Sequence, residues 1–285
     1  MVSDFSIYSG TQFLVLYGAL LLLAVLASFY LARSLRPQGR GERANDRFER
    51  AFLSGGSGRV TETVVARLLS VEALVPRGSN KLLVVHDRSL GEDRAENAVL
   101  RIPGEFGMTK AHEAVLPFAE GIEERLIARE LLLDSGQRWR LRLASALPLV
   151  VLLAIGLYRA RAGLAEGEPI GILAVLLVVT AVIAIWRFLK LDPRTCSGID
   201  ALAQARTHDA HLRTAPPQRS LPDGVALFGT AILVGTPLSE LHAMRQSASV
   251  NGSGAYVGDG GGGSDGDSGG DGGSGCGGGC GGCGG

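Results

Sequence analysis

Cysteine is absent from nearly the whole chain. Cys196 alone precedes residue 276, and the other three of the four cysteines fall within the final ten of 285 positions. A disulfide framework stapling the body is thereby excluded. Lysine is almost as scarce, with Lys81, Lys110 and Lys190 set against 25 arginines. Together with abundant Ala, Gly, Val and Leu, that bias suggests a GC-rich bacterial genome. Net charge is also missing, since 28 basic and 28 acidic residues cancel. A surface made for nucleic-acid phosphates needs a basic excess, so no nucleic-acid partner is expected. No nucleotide-cradling glycine loop, no paired carboxylates in a credible cleft and no nucleophile–base arrangement stands out. A non-enzymatic protein is the expectation.

What the chain does have is three long apolar runs. Gln12 to Ala32 holds 21 residues and no charge, enough to cross roughly 30 Å of hydrocarbon. Asp4 precedes it, without Lys or Arg, whereas a cleaved signal peptide wants a basic start. An uncleaved anchor is expected. The second run, Leu143 to Tyr158, has 16 residues and contains Pro148. Arg138, Arg140 and Arg142 on one side and Arg159 and Arg161 on the other can snorkel and extend it. The third, Ile170 to Trp186, ends at Arg187. Glu166-Gly-Glu-Pro169 makes the link between them a turn, so the two form a transmembrane hairpin.

Basic residues near span ends set the orientation. Twelve flank one side: Arg33, Arg36, Arg40, Arg43, Arg47, Arg50, Arg138, Arg140, Arg142, Arg187, Lys190 and Arg194. Only Arg159 and Arg161 flank the other. Residues 1–11 and the turn 159–169 are therefore expected outside a bacterial inner membrane. Spans 12–32, 143–158 and 170–186 would cross the bilayer, leaving 33–142, 187–250 and 251–285 in the cytoplasm. The expected fold class is mainly α, a three-span membrane protein with a small α-rich cytoplasmic domain and a disordered tail.

Within that domain, residues 34–45 form a solvated basic linker. Asp46 to Leu53 carries apolar residues at helical spacing, and Gly55-Gly56 supplies a stop. Val60 to Leu69 predicts a second helix. Val71 to Val75 and Lys81 to His86 predict a hairpin around a turn at 76–80. Helix, glycine turn, helix and hairpin is the order of a winged-helix module. Its second helix, however, offers only Arg67, with Arg59 just before it and Glu62 within it. A recognition helix needs bases and amides aimed at base edges, so residues 46–86 are expected to pack or to bind protein. Thr109 can cap a helix through Phe118, and Gly121 to Leu133 predicts another. Val225 to Val234 is too short to span and contains Gly229. A short helix or interfacial segment is expected there, with a re-entrant segment as the alternative, and Thr236-Pro237 opens a helix through Met244.

The tail, Asn251 to Gly285, is glycine at 20 of 35 positions. Glycine loses more backbone freedom on folding than any other residue and buries nothing, so its three thiols are there for their chemistry. Cys276-x3-Cys280-x2-Cys283 has the three-cysteine spacing of radical S-adenosylmethionine enzymes, but the chain has no room for their barrel. Cys276, Cys280 and Cys283 remain candidate ligands for a soft ion such as Zn²⁺ or Cu(I), and candidate modification sites. Cys196 could be a fourth ligand or a palmitoylated juxtamembrane thiol, but a lone cysteine of this kind is more often a small buried or interfacial residue. His208 and His211 could share one helix face near it, but a solvated helix face is the expected role of both. Asp259, Asp265, Asp267 and Asp271 lack the periodic apolar residue of a calcium-binding repeat.

Four features, in order, resemble an uncharacterised bacterial membrane-protein family whose members end in a Gly/Cys tail. They are Phe48-Glu-Arg-Ala-Phe-Leu-Ser-Gly-Gly56, the helical hairpin, Val225-Ala-Leu-Phe-Gly229 leading to Gly235-Thr-Pro237, and the closing Cys/Gly run. The resemblance implies an architecture and no activity. The functional expectation is a membrane body presenting its tail to a peptide-modifying enzyme or secretion partner, or holding a soft metal. The alternative is a membrane-tethered regulator acting through residues 46–86.

Overall fold

The computed structural model describes residues 10–77, 82–166, 171–214, 217–236 and 238–250. The expected disordered tail, the outermost N-terminal residues and the tips of both predicted turns lie outside them. In chain order the elements are α1 (Gly10–Ser34), α2 (Arg47–Ser70), β1 (Leu74–Arg77), β2 (Leu82–Val85), α3 (Arg94–Leu100), α4 (Met108–Ala128), α5 (Ser135–Glu166), α6 (Gly171–Leu189), α7 (Cys196–His208), α8 (His211–Thr214), α9 (Leu221–Phe228) and α10 (Ser239–Val250). The chain is mainly helical. It divides into two compact units, residues 1–37 with 134–191, and residues 38–133 with 192–285.

The first unit consists of α1, α5 and α6, all three long and apolar enough to cross a membrane. Two layers of contacts set their directions. In one, Tyr17 Oη lies 3.2 Å from Thr180 Oγ1, and a Cβ on Gly156 would meet Tyr17 and Leu177. In the other, Ser28 Oγ donates to the Ser145 carbonyl at 2.6 Å, and Arg187 Nε donates to Ser28 Oγ at 3.1 Å. Residue numbers rise from the first layer to the second in α1 and α6 and fall in α5. Hence α1 and α6 run parallel, with α5 antiparallel to both. Phe13, Tyr17, Leu149, Leu152, Leu173 and Leu177 fill the centre. α5 has 32 residues, twice the apolar run that marked it. Charge does not end a helix. Arginine is a good helix former, and Asp134 Oδ2 accepts the Gly136 N–H at the first turn, so the helix starts well before the hydrocarbon-length stretch.

The second unit is built around α2. At Gly55–Gly56 the helix breaks, and Gly56 takes φ 67°, ψ −159°, a backbone conformation that suits only glycine. Beyond the break Val60, Val64, Val65 and Leu68 are fully buried. They pack with α4 and α9 in one apolar core. The two helices expected over 109–118 and 121–133 are one, α4. Its buried positions Ala111, Val115, Ala119, Ile122 and Leu126 keep a single helical stripe across Pro117 and Gly121. One glycine costs a helix only about 1 kcal/mol. Glu130, at φ 57°, ends the run, and Leu131 and Leu133 turn inward, both fully buried.

The hairpin forms with Leu74 opposite Val85 and Arg77 opposite Leu82. β1 starts later than predicted because α2 continues to Ser70 and the chain reverses at Glu72, φ 60°. On its other side β2 exchanges backbone hydrogen bonds between Leu83 and Phe106, at 2.8 and 3.1 Å. The 225–234 stretch is short helix, as expected. It forms the end of α9 and a 3-10 turn over Thr230–Leu233, with Val225, Ala226, Leu227 and Leu233 buried in the second unit.

Candidate functional site

α10 is the last described element, and residue 251 follows it directly. Whatever holds α10 therefore fixes where the Gly/Cys segment begins. Leu241 and Met244 insert into the core, at 0% and 3% exposure. One turn on, Arg245 Nε lies 3.0 Å from Glu62 Oε1, and Arg59 Nη1 lies 3.1 Å from Oε2 of the same carboxylate. Glu62 is buried on α2, and each of its carboxylate oxygens faces a guanidinium. His242 Nδ1 is hydrogen-bonded to Thr230 Oγ1 at 3.1 Å, which ties α10 to the 3-10 turn as well.

Two glycines make room for this cluster. A Cβ on Gly229 would lie 1.9 Å from Arg59 Nη1, and the residue sits at φ +89°. Any side chain there is excluded by backbone and by contact. Gly56 lets α2 change direction just before Arg59. Ser54 Oγ donates to the Ala226 carbonyl. The Phe48–Gly56 and Val225–Gly229 segments, far apart in sequence, thus meet at the buried arginine.

Beside α10 lies a cavity of about 290 Å³. Leu69, Leu74, Leu241 and Met244 give it an apolar wall, and Glu72, His86 and Glu240 supply its polar groups. Val75, 43% exposed, and Pro76 bring the outer edge of the hairpin to it. Pro76 has no N–H to offer, so this edge is a poor template for an added strand. The cavity is suited to an apolar side chain next to a base. At the end of β2, the Ser89 N–H and then its hydroxyl donate to Asp87, at 2.8 and 2.7 Å. These bonds hold the Asp87 carboxyl below its ordinary pKa. Their contribution is present at neutral pH and is lost as pH falls through that lowered value.

Of the residues singled out in the sequence, Cys276, Cys280 and Cys283 lie outside the described residues. Cys196 opens α7 and is buried, beneath a cap in which Thr195 Oγ1 accepts the Gly198 N–H at 3.1 Å. To serve a metal with the tail thiols, it would have to leave the core. His208 and His211 do not share a helix. α7 ends at His208 and α8 begins at His211, both side chains are exposed, and His208 pairs with Asp209 at 2.8 Å. Among the described residues no group of three or more His, Cys, Asp or Glu could hold a metal ion. The Arg59–Glu62–Arg245 cluster was not foreseen. An Arg/Glu pair three apart in an apolar helix was its one local signal, and Arg245 is too distant in sequence to be inferred.

Comparison of the chain with protein-family models, with curated proteins and with solved structures finds no match.

Proposed function

We propose that the protein is a multi-pass membrane anchor whose second, helical unit presents the Gly/Cys segment 251–285 for modification or soft-metal binding. The observation that carries this reading is the clamp on α10. Leu241, Met244 and the Arg245–Glu62 pair fix the residues immediately before that segment. A presented substrate needs a fixed root and an approachable end. Glycine offers a modifying enzyme no side chain to thread past, and cysteine is the one reactive group in the last ten residues. Zn²⁺ or Cu(I) held by Cys276, Cys280 and Cys283 is the metal branch of the same proposal.

Basic residues crowd one end of the first unit's three helices, which supports a bacterial inner-membrane topology with the N-terminus outside and the tail in the cytoplasm. The intact mass of the full-length protein, purified from its native host, tests the function. The expected result is added mass or bound metal that maps to residues 251–285. Three unmodified thiols without metal would overturn it.

A second reading draws on the cavity beside α10. A winged-helix-like arrangement of α2 and the hairpin, used to bind a protein, would make residues 46–86 a membrane-tethered regulator. If so, deletion of residues 251–285 leaves the phenotype intact, whereas Leu74→Asp abolishes it.

A further inference from the structure

The ends of the three long helices differ sharply in charge and in aromatic content. The end of α1 carries Arg33 and Arg36, the start of α5 carries Arg138, Arg140 and Arg142, and the end of α6 carries Arg187 and Lys190. The contacts of Ser28 with Ser145 and Arg187 bring these three ends together. Asp134 just precedes α5, and Asp192 follows α6. Both tryptophans of the chain are at this level. Trp139 meets Phe188 edge-on, with ring centroids 5.4 Å apart, and Lys190 Nζ lies 5.8 Å from the Trp186 ring. Tryptophan beside bases is the composition of a bilayer's headgroup layer.

Two details make this more than a charged rim. Arg187 is immobilised, with its Nε on Ser28 Oγ at 3.1 Å, its Nη2 on the Ser28 carbonyl at 3.4 Å, and its guanidinium 3.9 Å from the Phe29 ring centre. Arg142, one turn before Ser145 on α5, has a buried Nε without a hydrogen-bond partner. Buried donors of charged groups are rarely left unsatisfied, because each costs desolvation without return. An acceptor from outside the chain fits.

We infer that this end of the helical unit binds the phosphate of an anionic phospholipid, with Arg142 and Arg187 gripping the headgroup and Trp139 and Trp186 flanking it. The chemistry recognised is a phosphate monoanion, held at the level where acyl chains meet water. The inference rests on the membrane reading above. It names which lipid that anchor prefers.

Full-length protein, extracted in a neutral detergent and supplied with equal amounts of phosphatidylglycerol and phosphatidylcholine, is examined by native mass spectrometry. The expected result is preferential retention of phosphatidylglycerol. It should fall about fivefold for each arginine removed in Arg142→Gln and Arg187→Gln, and be kept in Arg142→Lys. Arg159→Gln, at the opposite end, should leave it unchanged. Inorganic phosphate, which lacks acyl chains, should not displace the lipid; displacement would reduce the site to a general anion site and overturn the lipid assignment. Equal retention of both lipids, or equal loss in Arg159→Gln, overturns it too. Should the glutamine variants misfold, the lipid preference of the unaltered protein and of Arg142→Lys still decides. Protein recovered without detergent would instead sink the membrane reading itself, so the two failures are distinguishable.

Discussion

The two units of this chain solve opposite problems with the same kinds of side chain. The second unit has about twice the residues of the first. Yet among the described residues 26 of the 30 exposed large apolar side chains belong to α1, α5 and α6 or the few residues flanking them. In the second unit leucine and valine lie mostly inside, and buried carboxylates are met by donors, Glu62 by Arg59 and Arg245 and Glu96 by the Glu92 and Asp93 N–H groups. In the first, polar contacts between helices, Tyr17 with Thr180 and Ser28 with Ser145, join a small leucine-lined centre, while many more leucines and valines face out. That inversion is expected when hydrocarbon replaces water as solvent. Apolar burial then no longer drives helices together, and close packing and hydrogen bonds do.

The comparison can be broken at its strongest point first. Glu62→Ala leaves Arg59 and Arg245 facing a buried void, and should cost the second unit about 3–5 kcal/mol. Hydrogen exchange on the full-length protein should show faster exchange in α2, α9 and α10 with α1, α5 and α6 unchanged. Uniform acceleration in both units would mean that they do not have separate cores.

A matched pair of substitutions tests the solvent directly. Val178 on α6 and Val234 after the 3-10 turn are 63% and 66% exposed. Val178→Arg should impede membrane insertion by about 2.5–3.5 kcal/mol, seen as loss of protein from the alkali-washed membrane fraction. Val234→Arg should change stability by no more than about 0.5 kcal/mol. Equal effects would contradict the assignment of two different surroundings.

Smaller changes sharpen the packing side. Gly156→Val would place atoms against the Leu177 and Tyr17 side chains, where an added Cβ alone comes within 2.7 and 2.8 Å. Overpacking of this kind costs about 1–3 kcal/mol, and its exchange signature should fall on α1, α5 and α6 alone. Tyr17→Phe removes one interhelical hydrogen bond and should cost only about 0.6 kcal/mol, the usual worth of such a bond in lipid. A larger loss would mean that Thr180 needs this partner more than packing does.

How far the sequence could be read follows the same division. Length and apolarity are local properties, so three membrane-length helices were visible without a structure. Their contacts were not, because Ser28, Ser145 and Arg187 are ordinary residues until the helices meet. In the second unit the glycine break at 55–56 and the hairpin were legible, since each answers to local backbone preference. The fusion of two predicted helices into α4 was not, because tertiary burial of one continuous stripe outweighed the weak breaking tendency of Gly121. The short helix within Val225–Val234 was legible, but what it packs against was not. Ten apolar residues look alike whether they meet lipid or a protein core, and only their packing with α2 separates the two. The clamp on α10 depends on Arg245 finding Glu62 across more than half the chain, and no local pattern encodes that.

The central claim is that a membrane anchor carries cysteines 276, 280 and 283 on the cytoplasmic side. Labelling with a membrane-impermeant maleimide tests it most directly, followed by mapping of the modified residues in the full-length protein. Intact cells should show no label on the tail, and permeabilised cells should show it on whichever of the three thiols are unmodified and metal-free, with buried Cys196 unlabelled in both. Labelling of the tail on intact cells would contradict the account.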